Sequence, residues 1–422
     1  MRALVVGAGG REHALVWKLA QGRYIDEIHA APGNPGMAGQ ATLHDVPVAD
    51  IDGLVELAVS LHADVVIVGP EVPLAEGLSD ALAERGIKVF GPTKSGARLE
   101  SSKIFAKQLM KKAGIPTAEA RAFDDIDEAS EYIQFRHRPV VIKANGLAAG
   151  KGVVVCRYVP EAIKALVEMM QDRKFGDAGT TVLVEDMMEG EELSILAFCD
   201  GKNVLPLPAA QDYKRAYDRN KGPNTGGMGS YSPVAVCTDE VMDQAMDKVL
   251  QPCADALVKE GENYVGVIYA GLMMTEQGLK VVEFNCRFGD PETQAILPRL
   301  ESDLGELILA SIERSLPGME IKVSDRACVA VVAASGGYPE QEPLQTGFEI
   351  EGLEAAGRLE DVVVFHAATK AQNDRLVTSG GRVLSVSALG DNLEAARTNA
   401  YEAIEGISFQ GMRFRADIAK GK

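Results

Sequence analysis

The sequence predicts a multidomain protein that combines α/β and α+β architecture, and three observations support this prediction. First, the chain has 422 residues, more than a single hydrophobic core usually serves. Second, strand-like apolar runs alternate with helical runs through residues 1–101, which is typical of an open parallel α/β sheet. Third, strand-like runs later in the chain follow one another across short Gly-rich connections, as they do in α+β domains.

These patterns divide the chain into three expected domains. Residues 1–101 form an N-terminal α/β domain, which we expect to bind a substrate, and residues 102–323 form a central domain. The central domain contains a Gly-rich lobe over about residues 118–190. Residues 324–422 show short strands and one amphipathic helix, residues 393–404, which predicts a closing α+β domain.

Composition excludes several classes of protein. The formal net charge is −18, from 43 basic and 61 acidic residues, which argues against binding to nucleic acid or to an anionic membrane. No apolar run approaches the roughly 18 residues needed to span a bilayer. The six cysteines are scattered without a C-x-x-C pair, so neither a zinc site nor a disulfide framework is indicated. We expect a cytoplasmic protein.

The first Gly-rich turn, residues 7–12, resembles a dinucleotide-binding turn only in part. Glu12 stands where the third glycine belongs, and no acidic residue ends the second strand, where Asn34 follows Pro-Gly. An NAD-dependent oxidoreductase therefore stays open only as an alternative. We expect instead a tight turn at Gly9 and Gly10 that holds a single phosphate, with Arg11 nearby.

The next strand of this domain ends at Gly69-Pro70-Glu71, on the same side of the predicted sheet. The Glu71 carboxylate could accept hydrogen bonds from a ligand amine or hydroxyl. It could equally be a helix-start carboxylate that the helix dipole favours.

A second Gly-rich stretch, residues 146–152, is a near miss to a phosphate-binding Walker A loop. Only three residues separate Gly146 from Gly150, and Gly152 follows Lys151 where the motif requires Ser or Thr. A strand also follows, where the motif requires a helix. The pattern predicts a hairpin loop that folds over phosphates, with Lys143 and Lys151 as two point charges. The alternative is an ordinary Gly-rich hairpin with exposed lysines.

Residues 211–233 form a long segment rich in Gly, Pro and charge, without a hydrophobic pattern of its own. Such a long loop in a compact domain is more often functional than not. Asp212 and Lys214 supply charge, and residues 225–229 allow a close approach to the backbone. We expect a lid over the substrate.

The strand-like run over residues 281–288 carries the chemistry of the predicted site. Side chains alternate between the two faces of a strand, so three positions face the core, namely Phe284, Cys286 and Phe288. The opposite face presents Glu283, Asn285 and Arg287. A carboxylate, an amide and a guanidinium in one row suit a hydrated Mg²⁺ that carries phosphate oxygens. The alternative is the solvated face of an antiparallel sheet.

The succession of these motifs resembles the glycinamide ribonucleotide synthetase family of the ATP-grasp superfamily. The resemblance extends from the first strand to the C-terminal domain and rests on seven blocks, of which GPNTGGMGSYSP and FNCRFGDPETQ are the most specific. The others are Gly69-Pro70-Glu71, GPTKSGARLESSKIFAK, GLAAGKG, VEDMMEGEE and YAGLMM. It implies a fold in which two α+β lobes hold ATP between them.

The resemblance also implies roles for individual residues toward ATP and a divalent ion. Lys103, Lys143 and Lys151 would contact phosphates beneath the loop with Gly146, Gly150 and Gly152. The segment from Glu185 to Met188, with Met187, would meet adenine, and Glu192 would meet the ribose. Glu283 and Asn285 would ligate Mg²⁺ or Mn²⁺. Arg287, with Lys143, would act on the charge of an acyl phosphate.

The reaction that the resemblance implies joins glycine to 5-phosphoribosylamine through a glycyl phosphate, with ATP converted to ADP and phosphate. We expect phosphoribosylamine near Gly9, Gly10, Arg11, Asn34 and Glu71. We expect glycine near Asp212, Lys214, Thr225, Gly226, Gly227 and Met228. These substrates are small molecules, and we expect a monomer.

One departure from the superfamily concerns the strand before residue 281. Many members carry a further metal-binding carboxylate there, whereas this chain has Leu272-Met273-Met274. Asp290 or Glu292 could substitute. Two other functions stay open, namely a sibling ATP-grasp ligase that uses another acid and a noncatalytic nucleotide sensor.

Overall fold

A computed structural model describes residues 1–148, 152–340 and 343–422. Two residues expected in the phosphate-covering loop, Gly150 and Lys151, lie outside the described residues. The predicted fold class is confirmed: an open parallel sheet is followed by two antiparallel lobes and a C-terminal α+β sheet.

The described residues form the strands and helices named here. The strands are β1 Arg2–Gly7, β2 Glu27–Pro32, β3 Thr42–Leu43, β4 Val65–Val68, β5 Lys88–Phe90, β6 Ala120–Phe123, β7 Val140–Ala144, β8 Val153–Cys156, β9 Val182–Asp186, β10 Glu191–Asp200, β11 Val204–Pro206, β12 Gln211–Asp212, β13 Arg215–Tyr217, β14 Lys221–Asn224, β15 Gly229–Ser232, β16 Val265–Thr275, β17 Gly278–Asn285, β18 Ala327–Ala334, β19 Val362–His366, β20 Thr369–Gln372, β21 Arg375–Thr378 and β22 Arg382–Gly390. The α-helices are α1 Gly10–Leu19, α2 Ile51–Ser60, α3 Glu71–Glu76, α4 Leu78–Glu84, α5 Arg98–Ser101, α6 Lys103–Ala113, α7 Ile126–Arg136, α8 Val159–Leu166, α9 Asp239–Ala245, α10 Gln251–Lys259, α11 Glu292–Ile296, α12 Leu304–Ile312, α13 Leu353–Ala356 and α14 Leu393–Glu405.

The N-terminal sheet is parallel throughout, with the strand order β3-β2-β1-β4-β5. Strand β1 is central, with β2 and β3 on one side and β4 and β5 on the other. The strand order therefore reverses at β1, and in such sheets ligands bind at the carboxyl end of the strand where the order reverses. The sequence over residues 74–86 has a helical pattern. The structure divides it into α3 and α4 at Gly77, whose φ of +95° breaks the helix.

Two four-stranded antiparallel sheets form the central lobes. The first has the order β6-β9-β7-β8, and the second has the order β11-β10-β16-β17. The two predicted strands on either side of the Gly-rich stretch are confirmed as the antiparallel pair β7 and β8. Helix α6 begins after Ser102, whose hydroxyl accepts a hydrogen bond from the Phe105 amide at 3.2 Å, and ends at Gly114. A Ser at the N-cap and a Gly at the C-terminal end are typical of helix ends.

The C-terminal sheet has the order β12-β15-β18-β22-β19 and therefore includes two strands from residues 211–233. The prediction of a long loop is wrong for this segment, because it forms the strands β12 to β15. All four residues of β15 are buried, and β15 pairs with β18 about 100 residues further along the chain. Pairing with so distant a strand leaves no local pattern in the sequence.

The C-terminal residues fasten this segment in place. The Arg415 side chain is buried and donates to the Arg215 carbonyl at 3.0 Å and to Asn220 Oδ1 at 3.2 Å. It also pairs with Asp417 at 2.7 Å. The Ala416 amide donates to the Asp218 carboxylate at 2.9 Å. Residues 211–233 are thus part of the same packed unit as the chain's last residues.

Across the ranges 1–148, 152–340 and 343–422, no helix has both the length and the apolar character required to cross a bilayer.

Candidate active site

A cleft of about 1160 Å³ lies between the two antiparallel lobes. Residues from both sheets line it, together with β12 and the turn after β17. Most of the residues that the sequence singled out meet here, namely Arg11, Glu71, Lys103, Lys143, Gly152, Glu185, Met187, Met188, Glu192, Asp212, Lys214, Thr225, Gly226, Glu283, Asn285 and Arg287.

The alternation predicted along β17 is confirmed by burial. Phe284, Cys286 and Phe288 are each no more than 3% exposed, whereas Glu283 and the other polar residues of the row open into the cleft. The strand itself is shorter than predicted, since it ends at Asn285.

A bulge in the hairpin of β16 and β17 aims one carbonyl into the cleft. Gly271 pairs with Glu283 while Leu272 pairs with Val281, so Val282 is the extra residue. The carbonyl of Val282 accepts a hydrogen bond from Lys143 Nζ at 2.9 Å. The bulge thereby holds the Lys143 ammonium at β17, which alternation alone could not predict.

Glu185 lies buried between two lysines. Its carboxylate is 3.0 Å from Lys143 Nζ and 3.3 Å from Lys107 Nζ, and Lys107 also donates to the Thr117 hydroxyl at 2.6 Å. Burial lowers the pKa of Lys107 to about 8, although Glu185 opposes this shift. The Glu185 carboxylate is therefore engaged by two lysine side chains and is not free to bind a nucleobase.

Sequence reasoning missed Lys107. The signal was available, because Lys103 and Lys107 are four residues apart on α6 and so share one helical face. Lys103 Nζ donates to the Gly146 carbonyl at 3.0 Å, and the amide of Ile104 donates to Asn145 Oδ1 at 3.0 Å. The first turn of α6 thus binds residues 145 and 146, where the Gly-rich stretch begins.

Lys214 pairs with carboxylates on two strands of the second central sheet, β10 and β17. Its Nζ lies 3.3 Å from Glu283 and 3.5 Å from Glu192. Lys214 is the largest cause that lowers the pKa of Glu283 to about 2, against the opposing effect of burial. The Glu283 carboxylate is therefore fully ionised at neutral pH.

The chemistry of this donor set fits a divalent ion. Glu283 and Asn285 supply two oxygen donors on one face of β17. In the part of the chain that the structure describes, no three Asp, Glu, His or Cys side chains converge as a ligand cluster. Mg²⁺ in nucleotide sites is typically held by one or two carboxylates and by substrate phosphates rather than by an all-protein cage. Neither Asp290 nor Glu292 forms such a cluster with Glu283.

Two further carboxylates line the cleft, the buried Glu292 and the half-buried Asp212. Glu292 accepts hydrogen bonds from the Tyr269 hydroxyl at 2.7 Å and the Ser194 hydroxyl at 3.1 Å. Asp212, by contrast, has no side-chain hydrogen bond or ion pair among the described residues. Burial, reinforced by Glu292, raises the pKa of Asp212 to about 8 although Lys214 opposes the shift. Asp212 is therefore the carboxylate most in need of a cationic partner.

Arg287 is held by two carboxylates. Its Nη2 lies 2.9 Å from Glu100, and its Nε lies 3.3 Å from Glu71. Burial raises the pKa of Glu71, but Arg287 and Arg11 outweigh it and leave that pKa below its usual value. Sequence reasoning missed Glu100, and it assigned to a substrate the Glu71 carboxylate that the structure pairs with Arg287.

A second cavity of about 450 Å³ lies at the carboxyl ends of β1 and β2 and is covered by the C-terminal domain. Gly9 and Asn34 line it, together with Thr369 and Ser379. Asn34 Nδ2 donates to the carbonyls of Ala8 and His366, each at 2.9 Å. Asn34 therefore joins the N-terminal turn to β19 and is not free to reach a ligand through this amide.

In the turn that was expected to bind a phosphate, one backbone N–H group already has a partner within the protein. The Gly9 amide donates to the Glu12 carboxylate at 2.7 Å, because Glu12, in place of a third glycine, folds back over the turn. Gly10 lines neither cavity, since the Gln294 side chain covers it. Arg11 also pairs with Glu12 and opens into the larger cleft.

The segment from Thr225 to Met228 is held by Arg382. The Arg382 guanidinium donates to the carbonyls of Gly226 at 2.8 Å and Asp290 at 3.1 Å. Thr225 and Gly226 reach the cleft, whereas Gly227 and the fully buried Met228 do not line it. The last two residues shape the segment rather than the surface of the cleft.

Gly227→Ala should destabilise the fold and lower activity, because Gly227 has a φ of +113° and an added Cβ would lie 2.3 Å from Pro291 Cδ. A strained backbone and an overlap with a ring carbon together predict a loss of about 2 to 4 kcal/mol in the free energy of unfolding. Chemical denaturation measures this loss. Gly114→Ala is the control, since Gly114 has a φ of +70° and open space around it. If both variants lose the same free energy of unfolding, the positive φ alone explains the loss and the overlap with Pro291 contributes nothing.

Three family models match the sequence along nearly its whole length. They are described as phosphoribosylglycinamide synthetase, N domain, over residues 1–100, its ATP-grasp (A) domain over residues 101–293, and its C domain over residues 328–421.

Two relatives and two solved structures illustrate the similarity. The chain is 48% identical over 421 residues to phosphoribosylamine--glycine ligase of Caldanaerobacter subterraneus subsp. tengcongensis, with 100% of both chains covered. It is 46% identical to the Halalkalibacterium halodurans protein of the same name, with 99% of this chain and 96% of that one covered. The crystal structure of phosphoribosylamine--glycine ligase from Thermotoga maritima has a TM-score of 0.83 and 34% identity over 99% of this chain and 100% of that chain. The biotin carboxylase domain of Hydrogenobacter thermophilus 2-oxoglutarate carboxylase shares the fold alone, with a TM-score of 0.74 and 18% identity over 98% of this chain and 91% of that chain.

Proposed function

The chain belongs to the phosphoribosylglycinamide synthetase family, and from this premise we propose how its two cavities divide the work of the reaction. It is an ATP-dependent ligase that joins glycine to 5-phosphoribosylamine through a glycyl phosphate, in purine biosynthesis. The products are N1-(5-phosphoribosyl)glycinamide, ADP and phosphate. The oxidoreductase and nucleotide-sensor alternatives are therefore wrong.

The chemistry explains why the cleft is rich in charge and lacks a nucleophilic triad among its described residues. An amine cannot displace oxygen from a carboxylate, so the γ-phosphoryl group of ATP is first transferred to the carboxylate of glycine. Phosphoryl transfer depends on alignment and on charge neutralisation more than on a protein nucleophile. A divalent ion, when bound, would neutralise the phosphates, and we propose Mg²⁺ or Mn²⁺ held by Glu283 and Asn285.

ATP lies between the lobes in this proposal. Lys103 and Lys143 face the phosphates from α6 and β7, and their positions beside the Gly-rich hairpin support this assignment. Gly146 and Gly152 form the described ends of that hairpin, and Lys151 stays a sequence-based assignment. Met187 and Met188 contribute the apolar wall for adenine, and Glu192 accepts from the ribose hydroxyls.

Glycine binds beside β12. Its ammonium group meets the Asp212 carboxylate, which has no partner among the described side chains. Lys214 and Arg287 balance the charge on the carboxylate and later on the acyl phosphate, and Thr225 and Gly226 close the site through their backbone.

Phosphoribosylamine occupies the smaller cavity. Gly9 and Asn34 line it, whereas Arg11 and Glu71 face the larger cleft and would meet the substrate at its reactive end. Gly10 supports the turn from behind in this arrangement, since Gln294 covers it.

The observation that carries this proposal is that two cavities share a wall. The large cleft holds the phosphate-facing lysines and the donor row of β17, and Asp290, Tyr338 and Arg382 line both cavities. Purified protein with ATP, magnesium, glycine and fresh phosphoribosylamine should release ADP and form the amide. A panel of other amino acids should give little phosphate; equal turnover with another acid would instead indicate a sibling ligase.

Asp212→Asn should raise the KM for glycine at least about tenfold while the affinity for ATP changes little, because an ion pair with a desolvated ammonium group is lost. Steady-state kinetics with varied glycine tests this. Asp243→Asn, on α9 and outside the residues that line the cleft, is the control. A parental KM for glycine in the Asp212 variant would remove Asp212 from the site.

The pH dependence of the KM for glycine provides a second readout of the same variant. Because the pKa of Asp212 is raised to about 8, its ionised fraction increases as the pH rises through that value. The ammonium group of glycine prefers the ionised form, so the parental KM should fall between about pH 6.5 and pH 8.5. The neutral amide of Asp212→Asn should abolish this trend.

We further propose a cytoplasmic monomer that acts on these small molecules. Six free cysteines, five of them buried, suit a reducing compartment.

A further inference from the structure

Three residues form the wall between the two cavities. Asp290, Tyr338 and Arg382 each line both the cleft and the smaller cavity. Among the carboxylates that the structure describes, Asp290 is the one that lines both. Glu292 and Asp212 line the cleft alone, and Glu292 already accepts two hydrogen bonds from hydroxyls.

The Asp290 side chain is fixed but not saturated. Its Oδ1 accepts a hydrogen bond from Gln294 Nε2 at 2.8 Å, and its Oδ2 lies 3.1 Å from Arg382 Nη2. Each carboxylate oxygen can accept two hydrogen bonds, so both oxygens keep one acceptor position. Oδ2 also reaches the turn at Gly9, because a Cβ built there would lie 3.6 Å from it.

The surrounding charges keep this carboxylate ionised. Burial raises the pKa of Asp290, but Arg382, Arg11, the hydrogen bond from Gln294 and Arg287 together outweigh burial and leave the pKa below its usual value. At neutral pH Asp290 therefore only accepts hydrogen bonds. A carboxylate between the two cavities can accept a hydrogen bond from an N–H group of a substrate that binds in one cavity and reacts in the other.

We propose that Asp290 is a catalytic residue that binds the amino group of phosphoribosylamine and takes its proton during attack on the glycyl phosphate. This inference rests on the proposed function and assigns a residue to its second half-reaction. The amine nitrogen forms a bond to the carbonyl carbon of glycine, and the bond from that carbon to the phosphate oxygen breaks. Asp290 receives one proton from the nitrogen and passes it to the departing phosphate, which leaves as hydrogen phosphate.

The test separates the two half-reactions in Asp290→Asn. Hydroxylamine, a small and unprotonated nucleophile at pH 7, replaces phosphoribosylamine and traps glycyl phosphate as the hydroxamate. The variant should form hydroxamate within about threefold of the parent, but amide from phosphoribosylamine at least about 100-fold more slowly. A merely structural role would lower both rates together.

Asp391→Asn is the matched control, since its carboxylate is 93% exposed and lies 3.7 Å from an arginine, Arg326. Both rates should stay at the parental value in this variant. Parental amide formation in Asp290→Asn, or an equal loss of amide and hydroxamate, would overturn the inference.

Asp290→Glu keeps the inference testable if the asparagine variant does not fold. The Glu side chain keeps a carboxylate but places it one methylene further from the backbone. Amide formation should therefore fall more than hydroxamate formation. An equal fall in both rates would again overturn the inference. If the parent itself forms no amide, the proposed function fails instead. The two failures are therefore distinguishable.

Discussion

Glu283→Gln should lower the rate of glycine- and phosphoribosylamine-dependent ADP formation at least about 100-fold, because the variant loses the carboxylate that we propose holds the divalent ion. Stability should change little. Glu283 pairs with Lys214, and the two side chains are about 30% exposed. An ion pair of this kind contributes about 1 kcal/mol or less, which corresponds to a shift of roughly 2 °C in Tm.

Coupled-enzyme detection of ADP and a thermal melt test both parts of this prediction. Glu276→Gln is the control, because it makes the same substitution at an exposed position in the turn of the same hairpin. Parental turnover in Glu283→Gln would show that the divalent ion is held elsewhere.

Lys143→Ala should weaken ATP binding at least about tenfold, because a buried cation that faces the phosphates is removed. It should also destabilise the protein. Among the described residues, Glu185 would keep Lys107 alone as a cationic partner, and the Val282 carbonyl would lose its hydrogen bond. These two losses predict a fall of about 2 to 4 kcal/mol in the free energy of unfolding.

A double variant separates the two effects. Lys143→Ala combined with Glu185→Gln removes the partly unpaired charge, so it should recover part of the stability without recovering affinity for ATP. Isothermal titration calorimetry measures the affinity, and chemical denaturation measures the stability. An ATP affinity equal to that of the parent in Lys143→Ala would exclude Lys143 from the phosphate site.

The parts of the fold that could be predicted from the sequence are those with local periodicity. Alternating strands and helices indicated the parallel N-terminal sheet, and a capping serine with a terminal glycine gave the bounds of α6. The two-residue period of β17 correctly divided core residues from those that face the cleft. In each case neighbouring residues determine the outcome, so a single sequence contains the information.

The features that sequence reasoning missed depend on contacts between distant residues. Lys107 pairs with Glu185, which lies 78 positions further along the chain. Glu100 pairs with Arg287, which lies 187 positions further along the chain. The extra residue Val282 depends on the register against β16. None of these leaves a periodic signal, because each arises only when separate elements pack together.

The shared C-terminal sheet has a consequence for how the polypeptide folds as it is made. Strands β12 and β15 emerge from the ribosome about 100 residues before β18, with which β15 pairs. At about 5 to 20 residues per second, β15 would wait for at least about 5 seconds with an unsatisfied edge. Residues 211–233 should therefore become ordered late, and a nascent chain stalled before β18 should be a good substrate for chaperones.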